Sequence, residues 1–233
     1  MFIDVDLPAA PDPAPPVRIF LQHFSSASFD DASFDRHDIH CPENIQRSVA
    51  KRRAEYFHGR LCAQHALAAL GHSGVQVLSG GSREPLWPAG IRGSISHSDV
   101  MAAAAAVPAS QCRGLGIDIA SPIGPNAWND VVGIAVSEQE YQLLASMPGE
   151  IKMESYLALV FSAKESYFKA LFDEVRCFFD FDVLAFSGID LERQLLRLTV
   201  TEQVSPALPV GAHCLMPYRQ LPDGDVLTVF SWR

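Results

Sequence analysis

The sequence predicts an α+β protein of two related lobes joined near residues 108–114. Helical periodicity runs through one long stretch in each half, residues 43–70 and 150–172. Short apolar segments ending on turn signals stand beside each of these stretches. At 233 residues the chain can bury a sizeable core as one large domain or two small halves.

Taken in order, residues 8–16 (Pro-Ala-Ala-Pro-Asp-Pro-Ala-Pro-Pro) cannot form a helix or an inner strand, so residues 1–16 read as a Pro-rich extended leader. Val17-Arg-Ile-Phe-Leu is the first expected strand, and the Ser- and Asp-rich residues 25–40 read as loop. Across 43–70, Val49, Arg53, Tyr56, Phe57, Leu61, Leu67 and Ala68 recur near helical spacing, with Pro42 ahead and Gly71 as the stop. Arg53 and Arg60 are seven apart and so share one side of that helix. Residues 71–93 read as loops around a short extended piece.

The alanine-rich residues 101–107 favour helix by propensity. Pro108 closes the run, however, and Gly114-Leu-Gly-Ile-Asp-Ile-Ala follows, so two strands are expected. Ser137-Glu-Gln-Glu140 is a capping box opening a helix that ends by Met147. After the long helix come three expected strands, 194–201, 211–218 and 226–232. The lobes would span 17–110 and 111–233.

A net charge of −9 argues against a general nucleic-acid binder. Residues 1–46 set Arg18 and Arg36 against eight acids, whereas residues 47–60 carry Arg47, Lys51, Arg52, Arg53 and Arg60 against Glu55 alone. A basic patch in an acidic chain suggests a local phosphate or carboxylate site, although a solvated helix face would look the same. Five widely spaced cysteines with no C-x-x-C pair indicate neither a disulfide framework nor a zinc site. The acidic start lacks the features of a signal peptide, and the longest small apolar run, 101–107, is too short to span a bilayer. A cytoplasmic enzyme without membrane contact is the expectation.

Three constellations can carry chemistry. On a helix, Phe161-Ser-Ala-Lys-Glu-Ser-Tyr-Phe-Lys169 presents Glu165 and Lys169 together among aromatics. Asp118 alternates with Ile117 and Ile119, and an acid in a β-branched run needs a partner, a cap or a metal. Gly93-Ser-Ile-Ser-His97 places Ser96 and His97 as phosphate donors, with Arg83 and Trp87 upstream. Each alone has an ordinary structural explanation: a surface Glu–Lys pair, a strand-edge acid, a hydrogen-bonded histidine.

Their order is more specific. Arg83-Glu-Pro-Leu-Trp-Pro, Gly93-Ser-Ile-Ser-His, Gly116-Ile-Asp-Ile and Phe161-Ser-Ala-Lys-Glu-Ser-x-x-Lys169, with the Arg60-Leu-Cys-Ala helix, cover about residues 50–172. This series resembles the surfactin-type phosphopantetheinyl transferases, nearest the branch of enterobactin-synthesis and broad-range pseudomonad enzymes. The resemblance implies two similar lobes about a pseudo-twofold, each a small antiparallel sheet packed on a long helix. It implies transfer of the 4'-phosphopantetheine of coenzyme A to a serine of an acyl or peptidyl carrier protein, releasing adenosine 3',5'-bisphosphate. Asp118 and Glu165 would be ligands of Mg²⁺ (or Mn²⁺), Glu165 also the base, and Lys169 the group offsetting charge on the pyrophosphate. Ser96, His97, Arg60, Arg83 and Arg53 would contact the phosphates of coenzyme A. A monomer is implied as well.

One departure stands out. The family usually reads Gly-x-Asp-x-Glu, and this chain has Ala120 at the second acid. Either water fills that ligand position, or Asp130 or Asn126 supplies an oxygen, or the chain is a degenerate coenzyme A binder with weak transferase activity. The carrier is typically acidic, whereas residues 114–233 carry sixteen acids against eight bases. Docking would therefore use a local surface, and residues 121–137, with Trp128, Val131 and Val132, are the candidate.

Overall fold

A computed structural model describes residues 2–6, 17–147 and 149–233, with side chains described from residue 17 onward except at 130 and 148. The first lobe contains strands β1 (Phe2–Asp6) and β2 (Arg18–His23) and the short helices α1 (Ser33–Arg36) and α2 (Glu43–Gln46). The long helix α3 (Ala50–Ala69) follows, then the hairpin β3 (Leu78–Ser79) and β4 (Pro85–Leu86), and β5 (Ile91–His97) and β6 (Met101–Pro108). The second lobe runs through β7 (Gly114–Ala120), α4 (Pro125–Val131), α5 (Glu138–Ala145) and α6 (Met153–Val175). Strands β8 (Leu184–Asp190), β9 (Leu195–Val200), β10 (His213–Gln220) and β11 (Val226–Trp232) complete it. The expected α+β class and its two antiparallel sheets are what the chain forms. One sheet is ordered β1-β2-β6-β5, the other β7-β11-β10-β9-β8.

The alanine run is a strand because β6 is covered on both faces. Ala102, Ala104 and Ala106 pack against Ala54, Ala63, Ala66 and Leu67 of α3. Ala103 and Ala105 face Leu115, Ile117, Ile119, Leu227 and Val229 of the second sheet. Small side chains let both neighbours approach closely, and that tertiary fit overrides alanine's helical preference.

On the far side, α6 lies directly on β7. A Cβ at Gly114 would come 1.9 Å from the carbonyl oxygen of Ala170, and one at Gly116 would come 1.9 Å from that of Ser166. Only glycine permits that approach. Ser162 and Ser166 each lie 2.8 Å from Thr228 Oγ1, and Ser162 donates to the carbonyl of Asp118 at 3.1 Å, which fixes the helix's rotation over the sheet.

The lobes are joined by side chains as well as by the 109–113 link. Strand β7 is the outer strand of its sheet, and its N–H groups at Ile117 and Ile119 donate to Ser94 Oγ (3.0 Å) and Ser96 Oγ (3.1 Å) of β5.

Several boundaries differ from expectation. Residues 2–6 form an edge strand paired with β2 rather than leader; their alternating apolar and acidic residues suit a strand, and the prolines begin only at residue 8. Residues 7–16 lie outside those described. The helical stretch from 43 is broken at 47–49, where Ser48 caps back onto Ile45 by its N–H and Oγ. Within the expected loop 25–40 a 3₁₀ turn and α1 appear. Strand β8 was not expected, because its register shifts between Phe186 and Gly188 and so breaks the alternation that marks a strand.

Candidate active site

The glycine-mediated contact of β7 with α6 brings Asp118 beside Lys169. Asp118 is 6% exposed, and its Oδ1 accepts from Lys169 Nζ at 2.6 Å and from Ser96 Oγ at 2.8 Å. Lys169 also donates to the carbonyl of Ile117 and to Ser96 Oγ, each at 3.2 Å. Three elements, β5, β7 and α6, thus converge on one carboxylate oxygen.

Glu165, one turn before Lys169, borders an open cleft of about 470 Å³ with His97, Ser98, Asp99, Asp118, Ala120 and Phe161. Burial pushes its carboxyl above the usual range; the Lys169 ammonium works against that shift and the Asp118 charge with it. Two smaller cavities adjoin. Glu165 and Phe168 open onto one of about 310 Å³ walled by Phe178, Phe179, Phe181 and Leu184. Lys169 and Phe168 border one of about 240 Å³ with Arg83, Trp87, Phe172 and Phe178.

At the cleft mouth, Arg52 Nη1 lies 3.0 Å from His97 Nε2 and 3.2 Å from Glu55 Oε2. A guanidinium only donates, so Nε2 of His97 is the acceptor and the ring proton rides on Nδ1. Burial holds this imidazole below its ordinary pKa, with Glu55 opposing and Arg52 reinforcing the shift. Lys51 Nζ reaches Asp99 Oδ1 at 2.6 Å on the same rim.

The expected arginines separate. Arg53 and Arg60 leave the same side of α3, as expected, but the Arg53 side chain turns to Asp31 Oδ1 (2.8 Å) and the carbonyl of Ser48. Arg60 is 8% exposed, lies over the Tyr56 ring at 4.6 Å and donates to Ser79 Oγ at 2.9 Å. It has no acidic partner among the described residues, its Nε is unpartnered, and burial lowers its pKa. Arg83 borders the Trp87 cavity from a left-handed turn residue with φ 69°.

Sequence reasoning passed over Arg52 and Lys51 as individual residues, although the charge patch contained them. It read Glu140 as a cap only and passed over its buried pairing with Lys164 at 2.8 Å. Glu140 additionally accepts from Ser137 N and Phe186 N, joining α5 and β8 to the helix that carries Glu165.

Of the cation-binding groups bordering the cleft, Asp99 is engaged by Lys51 and His97 Nε2 by Arg52, which leaves the carboxylates of Asp118 and Glu165 as the oxygens a cation would meet. Ala120 packs among apolar residues of the second lobe, and among the described residues no group of three His, Cys, Asp or Glu is placed to hold a metal. Asn126 is exposed on α4 and is not among the residues bordering the cleft, and the side chain of Asp130 lies outside those described. Two hard carboxylates suit Mg²⁺, which keeps several waters.

Residues 41–107 match the family of 4'-phosphopantetheinyl transferase N-terminal domains, and residues 114–211 match the 4'-phosphopantetheinyl transferase superfamily. Enterobactin synthase component D of Escherichia coli O157:H7 is 34% identical over 152 residues, 64% of this chain and 69% of that protein. The chain belongs to the 4'-phosphopantetheinyl transferase superfamily. Enterobactin synthase component D of Salmonella typhi is 34% identical over 154 residues (63% of this chain, 61% of that protein). The 4'-phosphopantetheinyl transferase Svp of Streptomyces mobaraensis is 35% identical over 158 residues (66% and 63%). The match thus spans just over six tenths of the length of these two transferase-family relatives. The boundary between the two family matches falls in the link between β6 and β7.

In this superfamily member the segment 121–137 is only partly available as a surface. Trp128 packs edge-on to Tyr141 at 6.0 Å, and Val131 and Val132 lean on the core, leaving Ile134 as the large exposed apolar side chain among the described residues of the segment (68%). No helix among the described residues is long and apolar enough to cross a membrane.

Proposed function

We propose that this chain transfers the 4'-phosphopantetheine of coenzyme A to a serine hydroxyl of an acyl or peptidyl carrier protein, releasing adenosine 3',5'-bisphosphate. The observation that carries the proposal is the contact of Lys169 and Ser96 with Asp118 beside Glu165, at the floor of a cleft rimmed by His97, Arg52 and Lys51. The lobes divide the work: 17–110 brings cations to the nucleotide phosphates and 111–233 brings the carboxylates and Lys169.

Asp118 and Glu165 would hold Mg²⁺, or Mn²⁺ by the same oxygen chemistry. That cation, when bound, supplies charge neutralisation on the pyrophosphate. Arg52 and His97 donate to the 3'-phosphate. Among the described residues Arg60 is a buried guanidinium without a counterion, an arrangement that costs several kcal/mol and that a nearby phosphate offsets. The Trp87–Phe172 cavity offers flat walls and Arg83 to the adenine end, and the Phe-lined cavity beginning at Glu165 suits the pantetheine arm. Arg53, engaged with Asp31, lies one residue beyond Arg52 as a reserve cation.

Glu165 takes the proton of the carrier serine, and its burial-raised basicity suits that role. The serine oxygen bonds to the β-phosphorus as the bond from that phosphorus to the bridging oxygen breaks. The electron pair leaves on adenosine 3',5'-bisphosphate, where the Lys169 ammonium offsets the developing charge. The enzyme acts as a monomer in the cytoplasm, which its five free cysteines fit.

A second reading is favoured by Ala120: a homologue that binds coenzyme A and transfers little. Intact-mass spectrometry of several apo-carriers incubated with enzyme, coenzyme A and Mg²⁺ separates the two. The expected result is a phosphopantetheine adduct, reduced about 100-fold or more in rate by Glu165→Gln. Coenzyme A binding with no adduct on any carrier supports the second reading.

A further inference from the structure

Glu55 stands outside the proposed chemistry, yet it is the buried acid of the basic segment. On α3 it is 8% exposed; its ion-pair partner among the described residues is Arg52, and the neutral His97 ring lies beside the same carboxylate. Oε2 lies 3.2 Å from Arg52 Nη1 and 3.7 Å from His97 Nε2, so one carboxylate oxygen faces both groups at the cleft mouth.

Arg52 needs such a tether. Its neighbours Lys51 and Arg53 are cations engaged by Asp99 and Asp31, and its own guanidinium is nearly half exposed. Without an anion one helical turn away, repulsion and side-chain entropy would draw it into solvent. The carboxylate also opposes an incoming phosphate by its charge, so what it contributes is geometry rather than attraction.

We propose that Glu55 is a positioning residue: it holds Arg52 against His97 so that the two present one fixed pair of donors to the 3'-phosphate of coenzyme A. The inference rests on the proposed function. It assigns to Glu55 the preference for coenzyme A over its 3'-dephospho form, a ligand that differs only in the group the pair would grip. Charge-assisted bonds of this kind lose strength steeply when a donor is free to swing away.

The test measures binding of coenzyme A and 3'-dephospho-coenzyme A by calorimetry to wild type, Glu55→Gln, Glu55→Asp, Arg52→Ala and Glu55→Gln/Arg52→Ala, with carrier-loading kinetics alongside. Wild type should prefer coenzyme A. Glu55→Gln should weaken coenzyme A about tenfold and raise its KM by the same factor, leaving kcat and dephospho-coenzyme A binding within about twofold. Within the Arg52→Ala background the same change should add less than about twofold, since the two residues act as one unit. Glu55→Asp keeps the charge and should retain most of the preference, which covers the case in which the glutamine variant folds poorly. Equal losses on both ligands, tighter coenzyme A binding, or full additivity with Arg52→Ala would overturn the role of Glu55 while leaving the proposed function standing. A wild type that neither binds coenzyme A nor loads a carrier would sink the proposed function, and the role of Glu55 with it.

Discussion

Replacing Gly116 by alanine forces α6 away from β7. The new Cβ would sit 1.9 Å from the carbonyl oxygen of Ser166 and 2.8 Å from the backbone nitrogen of Ala170, where ordinary contact begins near 3.4 Å. Both obstacles are backbone, so no side chain can rotate aside, and the helix has to retreat by roughly 1.5 Å. Ser166 lies between Glu165 and Lys169, so the retreat pulls both away from Asp118, and a misplacement of about 1 Å costs about 100-fold in rate. Overpacking at this site should also cost about 3 kcal/mol, lowering Tm by about 6–12 °C for a chain of this size. Carrier loading followed by mass spectrometry, with thermal unfolding by circular dichroism, reads both effects. Gly149→Ala meets open space and serves as the matched control, expected within about 0.5 kcal/mol of wild type. Wild-type melting and turnover in Gly116→Ala would refute the view that close helix–strand contact sets the site.

Three further perturbations probe other layers. Ala120→Glu adds a third carboxylate beside Asp118 and Glu165, and half-saturation by Mg²⁺ in the loading assay should fall about tenfold; an unchanged requirement would mean that another group already fills the place. Lys164→Met alone strands Glu140 in the core at a cost of about 3–5 kcal/mol, whereas Lys164→Met with Glu140→Leu should recover much of it in denaturant titrations; no recovery would show that Glu140's bonds to Ser137 and Phe186 dominate. His58 stacks on Phe24 at 4.8 Å, and its pKa is lowered from 6.5 to about 4, chiefly by burial. The unfolded chain therefore takes up this proton first, so stability is full above pH 6.5 and declines as pH falls towards 4. The loss is about 1–2 kcal/mol after allowing for screening of a partly exposed ring, and His58→Phe should flatten that part of the stability–pH profile.

The site's acids were legible because chemistry restricts where acids can stand. An aspartate between isoleucines requires a partner, and Asp118 finds Lys169 and Ser96 beside the cleft that Glu165 borders. Which arginines face it was not legible. Spacing along a helix gives the side of departure, but Arg53 and Arg60 were diverted by Asp31 and by Tyr56 with Ser79, residues 22 and 4 to 19 positions away. Strand β8 escaped notice for a related reason, since pairing with β9 absorbs an irregularity that alternation cannot. The alanine strand was readable only through its terminating proline and the glycine-flanked strand after it, because what overrides its propensity is a pair of neighbours distant in sequence.

The serine rungs between β5 and β7 give the amide protons of Ile117 and Ile119 an unusual status. Their acceptors belong to the other lobe, so parting of the lobes frees both protons for exchange with solvent. Hydrogen exchange at those positions therefore sets a lower limit on the free energy of lobe separation. Because Ser96 serves at once as the acceptor for Ile119 and as a donor to Asp118, a ligand that tightens the Asp118 cluster must slow exchange at Ile119 by the same linkage that makes it bind.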